Sequence, residues 1–216
     1  MSNMSSTRSR QHLREHDRTI RRAARRAELL DAAVRAIRRD GPMVSMDVIA
    51  AEAGVTKPIV YRHFGDRVGL ATALADQFGA ALVADLDAAL AQDLPPEQLL
   101  RATIDAYLAF VESDPQLYSF LIGRLGAPVG AEFANGLIAQ VGSRVALVLG
   151  EQLRSLGIDS GPAEPWAFGI VGMVHLAGDW WLERRTMTRA RLVDDITTLL
   201  WNGLGGLVPI AQEDDR

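Results

Sequence analysis

Residues 45–64, SMDVIAAEAGVTKPIVYRHF, confine the fold more tightly than any other run in the chain. Ser45 is placed to cap a helix by accepting a bond from a free backbone N–H, and Val48, Ile49, Ala50 and Ala53 then give that helix one apolar side. Gly54 closes it, because a residue without Cβ adopts the left-handed backbone at a helix end without strain. Thr56 is positioned to cap a second helix, with Pro58 in its first turn. Val60 and Phe64, four apart, share the side that packs on Ile49 and Ala53, while Lys57, Pro58, Tyr61 and Arg62 share the other. A helix, a glycine turn and a second helix with a basic, aromatic outer face form a helix-turn-helix, whose second helix enters a DNA major groove. Taken alone, these residues also fit a pair of packed surface helices.

Charge separates the two readings. The formal net charge is −4, which spread evenly would argue against a nucleic-acid partner. It is not spread evenly: residues 1–67 hold 14 Lys and Arg against 8 Asp and Glu, and residues 68–216 hold 9 against 19. A basic first third joined to an acidic remainder predicts one end that meets phosphates and another that does not. With 48% hydrophobic residues over 216 positions the chain can bury a substantial core. The absence of cysteine excludes disulfides, cysteine-based zinc fingers and thiol catalysis, and suits a reducing cytoplasm, the expected location. The N-terminus has no apolar signal-peptide core, and the most apolar run, 165–182, is interrupted by His175 and Asp179; a buried helix is expected there and no membrane insertion.

Apolar spacing along the chain predicts an all-α fold of about nine helices, since no alternating β-branched run is long enough for a strand. Residues 1–19 are polar and serine-rich and are expected to form a basic, mobile arm carrying Arg8, Arg10, Arg14 and Arg18. A first helix is expected from Ile20 to Asp40. Arg21, Arg22, Arg25 and Arg26 gather at its start, where the helix dipole disfavours cations, so an anionic partner explains them better than helix stability does. Asp66 is a plausible cap for a long amphipathic helix, 123–130 a Gly- and Pro-containing loop, and the last two helices are the most apolar. The expected division is an arm at 1–19, a helix-turn-helix domain at 20–66 and a larger helical domain at 67–210.

The run LLDAAVRAIRRDGPMVSMDVIAAEAGVTKPIVYRHF from Leu29 to Phe64, followed by GDRVGLATAL, resembles the DNA-binding domain of the TetR family of transcriptional regulators. The marks are Ala32-Ala33, Gly41, Ile49-Ala50, Ala53-Gly54-Val55, and Tyr61 followed by His63-Phe64. The resemblance implies a homodimer with a three-helix N-terminal domain and a C-terminal domain that binds a small molecule and dimerises through its last two helices. Carried across by position, it makes Thr56, Lys57, Pro58, Ile59, Tyr61, Arg62 and His63 DNA-facing, and makes Ser45 and Arg67 phosphate contacts. Ile59 stands where many members carry a small polar residue, and Arg62 where aromatics or histidine are common, so the operator sequence does not carry over.

The chemistry of the residues agrees. Lys57 and Arg62 can bond guanine edges or phosphates, Tyr61 can donate to a phosphate, and Pro58 or Ile59 can touch a thymine methyl. His63 reads equally as a contact or as a partly packed side chain. In the second domain Tyr107, Phe110, Tyr118, Trp166, Met173, His175 and Asp179 mark a candidate pocket for a lipophilic or aromatic effector. His175 and Asp179, one turn apart, are expected either to bond each other or to hold a ligand's polar group. Four histidines, three of them in the first 63 residues, argue against a metal site. No cofactor is expected, and no enzyme: G-x-S-x-G, a phosphate loop and H-E-x-x-H are all missing, and His175 with Asp179 is the one catalytic candidate. The expected function is a ligand-responsive repressor on a (pseudo)palindromic operator, its rival a DNA-packing protein without sequence preference.

Overall fold

Helices form wherever the apolar residues recur at helical spacing. The computed structural model describes residues 3–122 and 127–203, with side chains for 16–122 and 135–203. Among the described residues nine helices follow one another: α1 (Asn3–Asp40), α2 (Met46–Glu52), α3 (Lys57–Phe64), α4 (Arg67–Leu90), α5 (Pro96–Ser113), α6 (Pro115–Ile122), α7 (Ala127–Ser155), α8 (Ala163–Arg184) and α9 (Arg189–Asn202). The described residues contain no strand, and no described helix is long and apolar enough to cross a membrane.

Two boundaries differ from the sequence expectation. α1 begins at Asn3, not near Ile20, so residues expected as an irregular arm continue the helix. Apolar periodicity reports burial, and residues 16–25 are exposed on every face; the arginines and alanines among them favour a helix without leaving that signal. α7 likewise begins at Ala127 and includes Pro128 and Gly130, expected in a loop; proline in a first helical turn costs no hydrogen bond. Residues 123–126 of that expected loop lie outside the described residues.

Most of the buried side chains among the described residues fall into two clusters. One is built by α1, α2, α3, the first half of α4 and Leu117, Phe120 and Leu121 of α6. The other joins the second half of α4 to α5, α7, α8 and α9 and takes in Tyr118 of α6. Thus α4 and α6 belong to both. Trp181, 1% exposed, lies inside the second cluster, where its indole N–H donates to the Met187 carbonyl at 2.7 Å.

The junction between α3 and α4 leaves no slack. Gly65 ends α3 with φ +79°, Asp66 caps α4 by accepting from the Gly69 N–H at 2.8 Å, and a Cβ at Gly69 would stand 1.9 Å from the Phe64 carbonyl oxygen. Gly69→Ala must therefore displace one helix end against the other. It should lower stability by roughly 2 kcal/mol or more, within the range for overpacked sites. Chemical denaturation of the variant beside wild type checks this.

Candidate nucleic-acid interface and helical-bundle cavity

α2 starts as its sequence dictates: the Ser45 hydroxyl accepts from the Val48 N–H at 3.3 Å, and Gly54 beyond its end has φ +63°. Thr56 takes the N-cap position of α3 in extended backbone, but its side chain makes no cap bond, contrary to expectation. The turn is held by backbone instead, with the Val55 N–H donating to Ala50 at 3.0 Å and Ile59 to Thr56 at 2.9 Å. Val60 and Phe64 are buried against α2, which forces Lys57, Pro58, Tyr61 and Arg62 to the exposed side, with Ile59 and His63 at its edges half-buried. Lys57 lies 3.0 Å from the Asp47 carboxylate and 5.7 Å from the Tyr61 ring centre, and the Asp47 bond raises its pKa.

α1 enlarges this face. Burial lowers the His63 pKa, and Arg62, Arg22, Arg25 and Arg26 add to the effect, so three arginines of α1 stand close enough to be felt at the end of α3. The Arg26 guanidinium lies 5.1 Å from the Phe64 ring centre. Basic residues separated by about forty positions thereby form one patch. The sequence signal for it was present in the arginine cluster, but not its proximity to α3.

Arg67 lies apart from that face. Its guanidinium donates to the carbonyls of Val44 and Pro42 and stacks 5.0 Å from the Phe120 ring centre, and burial lowers its pKa. Expected at a phosphate, it ties α4 to the loop before α2 and to α6, because those carbonyls have no helical partner and need a donor.

In the larger bundle a cavity of about 640 Å³ opens among α4, α5, α7, α8 and α9. Of the seven residues expected there, Tyr107, Trp166 and His175 line it. Phe110 and Tyr118 instead border a small void beside α4 and α6, Met173 is exposed, and Asp179 stands behind His175. The aliphatic wall, with Leu100, Ile138, Val141, Val148 and Ile170, was not anticipated, since such side chains carry the same sequence signal as any core. Tyr107, Tyr118, His175 and Asp179 form one network. The Tyr107 hydroxyl lies 2.9 Å from His175 Nδ1 and 3.2 Å from the Tyr118 hydroxyl, which donates to Asp179 Oδ1 at 2.5 Å. His175 Nε2 faces Asp179 Oδ2 at 3.7 Å, and the ring tautomer sets whether Nδ1 accepts from or donates to the Tyr107 hydroxyl. Burial raises the pKa of both tyrosines.

Residues 29–74 match the family model for bacterial regulatory proteins of the tetR family, and residues 85–214 match the tetracyclin repressor-like C-terminal domain. The chain is a TetR-family transcriptional regulator. An uncharacterized HTH-type transcriptional regulator of Mycobacterium tuberculosis is 37% identical to it over 187 residues, which are 85% of this chain and 79% of that one. The HTH-type transcriptional activator FasR of Mycolicibacterium smegmatis is 28% identical over 195 residues, 85% and 84% of the two chains. A TetR-like transcriptional regulator from Rhodococcus sp. RHA1 superimposes with a TM-score of 0.63 at 25% identity, covering 85% and 97%.

In this TetR-family chain the depressed pKa of His63 has a definite consequence. The unfolded chain takes up that proton first as pH falls below the ordinary value of 6.5, so this residue contributes a loss of stability that begins there and is complete below its folded pKa. An NMR titration of the imidazole should place its pKa below 6.5 in the free protein, and Arg62→Ala should raise it. A value at or above 6.5 contradicts the description of the patch.

Proposed function

We propose that the chain is a repressor that binds a (pseudo)palindromic operator as a homodimer and releases it when a small lipophilic molecule enters the bundle cavity. The observation that carries the DNA-reading part is the single exposed face of Lys57, Tyr61 and Arg62, continuous with Arg22, Arg25 and Arg26. Thr56, Pro58, Ile59 and His63 complete the surface offered to the groove, and Ser45 stands at the start of α2 for a phosphate. Arg67 supports that surface from within. Residues 20–66 then form the DNA-reading part and 67–210 the effector and dimer part.

Lys57→Ala and Tyr61→Phe should each weaken operator binding, Lys57→Ala by about tenfold or more, with the thermal midpoint nearly unchanged because both side chains are exposed. Gel-shift titration on DNA selected from a random pool tests this, and wild-type affinity in both variants removes the assignment. The same titration against random duplex separates a sequence-specific regulator from a DNA-packing protein. FasR, a relative named as an activator, favours activation as a second reading of the same binding. Reporter transcription with and without the chain decides the direction.

Dimerisation through α8 and α9 is supported by what α8 leaves uncovered. Trp166, Met173, Leu176 and Trp180 are exposed along one side, Trp201 of α9 is 48% exposed, and a Cβ at Gly169 or Gly172 would meet no atom within 4 Å among the described residues. An open apolar stripe interrupted by glycines suits close approach of a second helix. Leu176→Arg should convert the dimer to a folded monomer in sedimentation equilibrium, with its helical circular dichroism retained.

Effector control is supported by the continuity between cavity and DNA-reading part. Tyr118 belongs to the network at the cavity wall and sits on α6; Asp114, just ahead of that helix, accepts from Arg38 of α1 at 2.6 Å, and Phe120 of α6 lies under Arg67. A ligand that favours one position of α6 shifts α1 and α4 with it, provided that it binds the two states with different affinity.

A further inference from the structure

The cavity wall differs from an ordinary apolar core at one place. Among the described residues that line it none is Lys, Arg, Asp or Glu, and the polar ones are Thr103, Tyr107, Gln152 and His175. Thr103 is committed to its own helix, donating to the Leu99 carbonyl at 2.8 Å, and Gln152 is solvent-exposed. That leaves the Tyr107–His175 pair as the buried polar point of the wall.

What stands behind the pair decides what it can hold. The Asp179 carboxylate is reached by the Tyr118 hydroxyl at 2.5 Å and faces His175 Nε2 at 3.7 Å. Three arginines of the surrounding helices are engaged elsewhere: Arg101 with Asp194 at 2.7 Å, Arg144 with Asp87 at 2.5 Å, and Arg189 with Asp105 and Glu112, both at 2.9 Å. A head group arriving at Tyr107 and His175 therefore meets a hydroxyl, an imidazole and, one side chain further, a negative charge. Burying an anion there costs its desolvation and gains no counter-charge.

We propose that the cavity takes a lipophilic molecule whose buried polar group is uncharged, an alcohol or an ester-type carbonyl hydrogen-bonded at Tyr107 and His175, and that Asp179 excludes a free carboxylate from that point. This rests on the effector reading above. With the ring proton on Nδ1 the Tyr107 hydroxyl is free to donate to a carbonyl, and with it on Nε2 the Tyr107 oxygen accepts from an alcohol, so each is satisfied by one tautomer, and a volume of about 640 Å³ suits a ligand-sized apolar body. The same contact reaches α6 through Tyr118, so the group that selects the ligand is also the one that reports its arrival.

The test uses dodecanol, methyl dodecanoate and dodecanoate, which share one chain length, titrated into the full chain below their aggregation limits. Trp166 and Trp201 line the cavity, so intrinsic fluorescence reads occupancy without any DNA. Dodecanol and methyl dodecanoate should bind, and dodecanoate about tenfold more weakly or worse. Tyr107→Phe should weaken dodecanol. Asp179→Asn, which keeps an acceptor for Tyr118, should bring dodecanoate closer to dodecanol by about fivefold or more. Dodecanoate binding as tightly as dodecanol in the wild-type chain overturns the assignment, as does an unchanged ratio in a folded Asp179→Asn. If none of the three changes the fluorescence or the melting curve, the effector reading falls and this inference with it.

Discussion

The guanidinium of Arg67 is the point at which three parts of the chain meet. It satisfies the Pro42 and Val44 carbonyls in the loop ahead of α2, lies against Phe120 of α6, and begins α4 three residues beyond the end of α3. Removing it would leave two peptide carbonyls without their donor and a gap over an aromatic ring. Few of the exposed ion pairs on the surface carry comparable weight, because water and salt screen them. With Gly69 pressed against the Phe64 carbonyl, the clamp gives α3 a fixed direction relative to α4. For a protein that must present one helix face to a groove, this direction is a functional quantity.

The two apolar clusters are joined through α4 and α6, so neither half relaxes independently of the other. α6 is the more informative link. Its Leu117 and Phe120 pack toward the DNA-reading part, while Tyr118 between them points into the other cluster and ends on Asp179. A helix of eight residues that belongs to two cores cannot shift on one side without disturbing packing on the other. The buried tyrosines and histidine are satisfied by one another, which lets a polar point exist in an otherwise apolar wall without leaving a donor or acceptor stranded.

Much of this was legible from residues alone. Val60 and Phe64 had to be buried once Ile49 and Ala53 were, so the exposure of Lys57, Tyr61 and Arg62 followed from helical spacing. His175 and Asp179 do face each other across one turn, as an i, i+4 pair can, at 3.7 Å, while Tyr118 supplies the short contact to Asp179. That partner comes from sixty-one positions away, beyond any local pattern. The carbonyl partners of Arg67 lay beyond local pattern for the same reason: a basic residue after a helix-turn-helix carries no sign of whether it faces solvent phosphate or unpaired carbonyls. The helical start of α1 escaped notice because a helix without an apolar stripe leaves no periodic trace.

By itself the sequence determined the all-α class, the helix-turn-helix and the basic character of its end. Each rests on spacing and backbone preference within one or two turns, where physical chemistry acts on neighbours in the chain. Tertiary structure alone decided which arginines of α1 join α3, that Trp181 is core while Trp180 and Trp201 are exposed, and that Tyr107 and His175 rather than Phe110 or Met173 reach the cavity. Those outcomes depend on how helices rotate and cross when their apolar stripes are buried together. That rotation is set by packing among residues far apart in sequence, on which local pattern has no purchase.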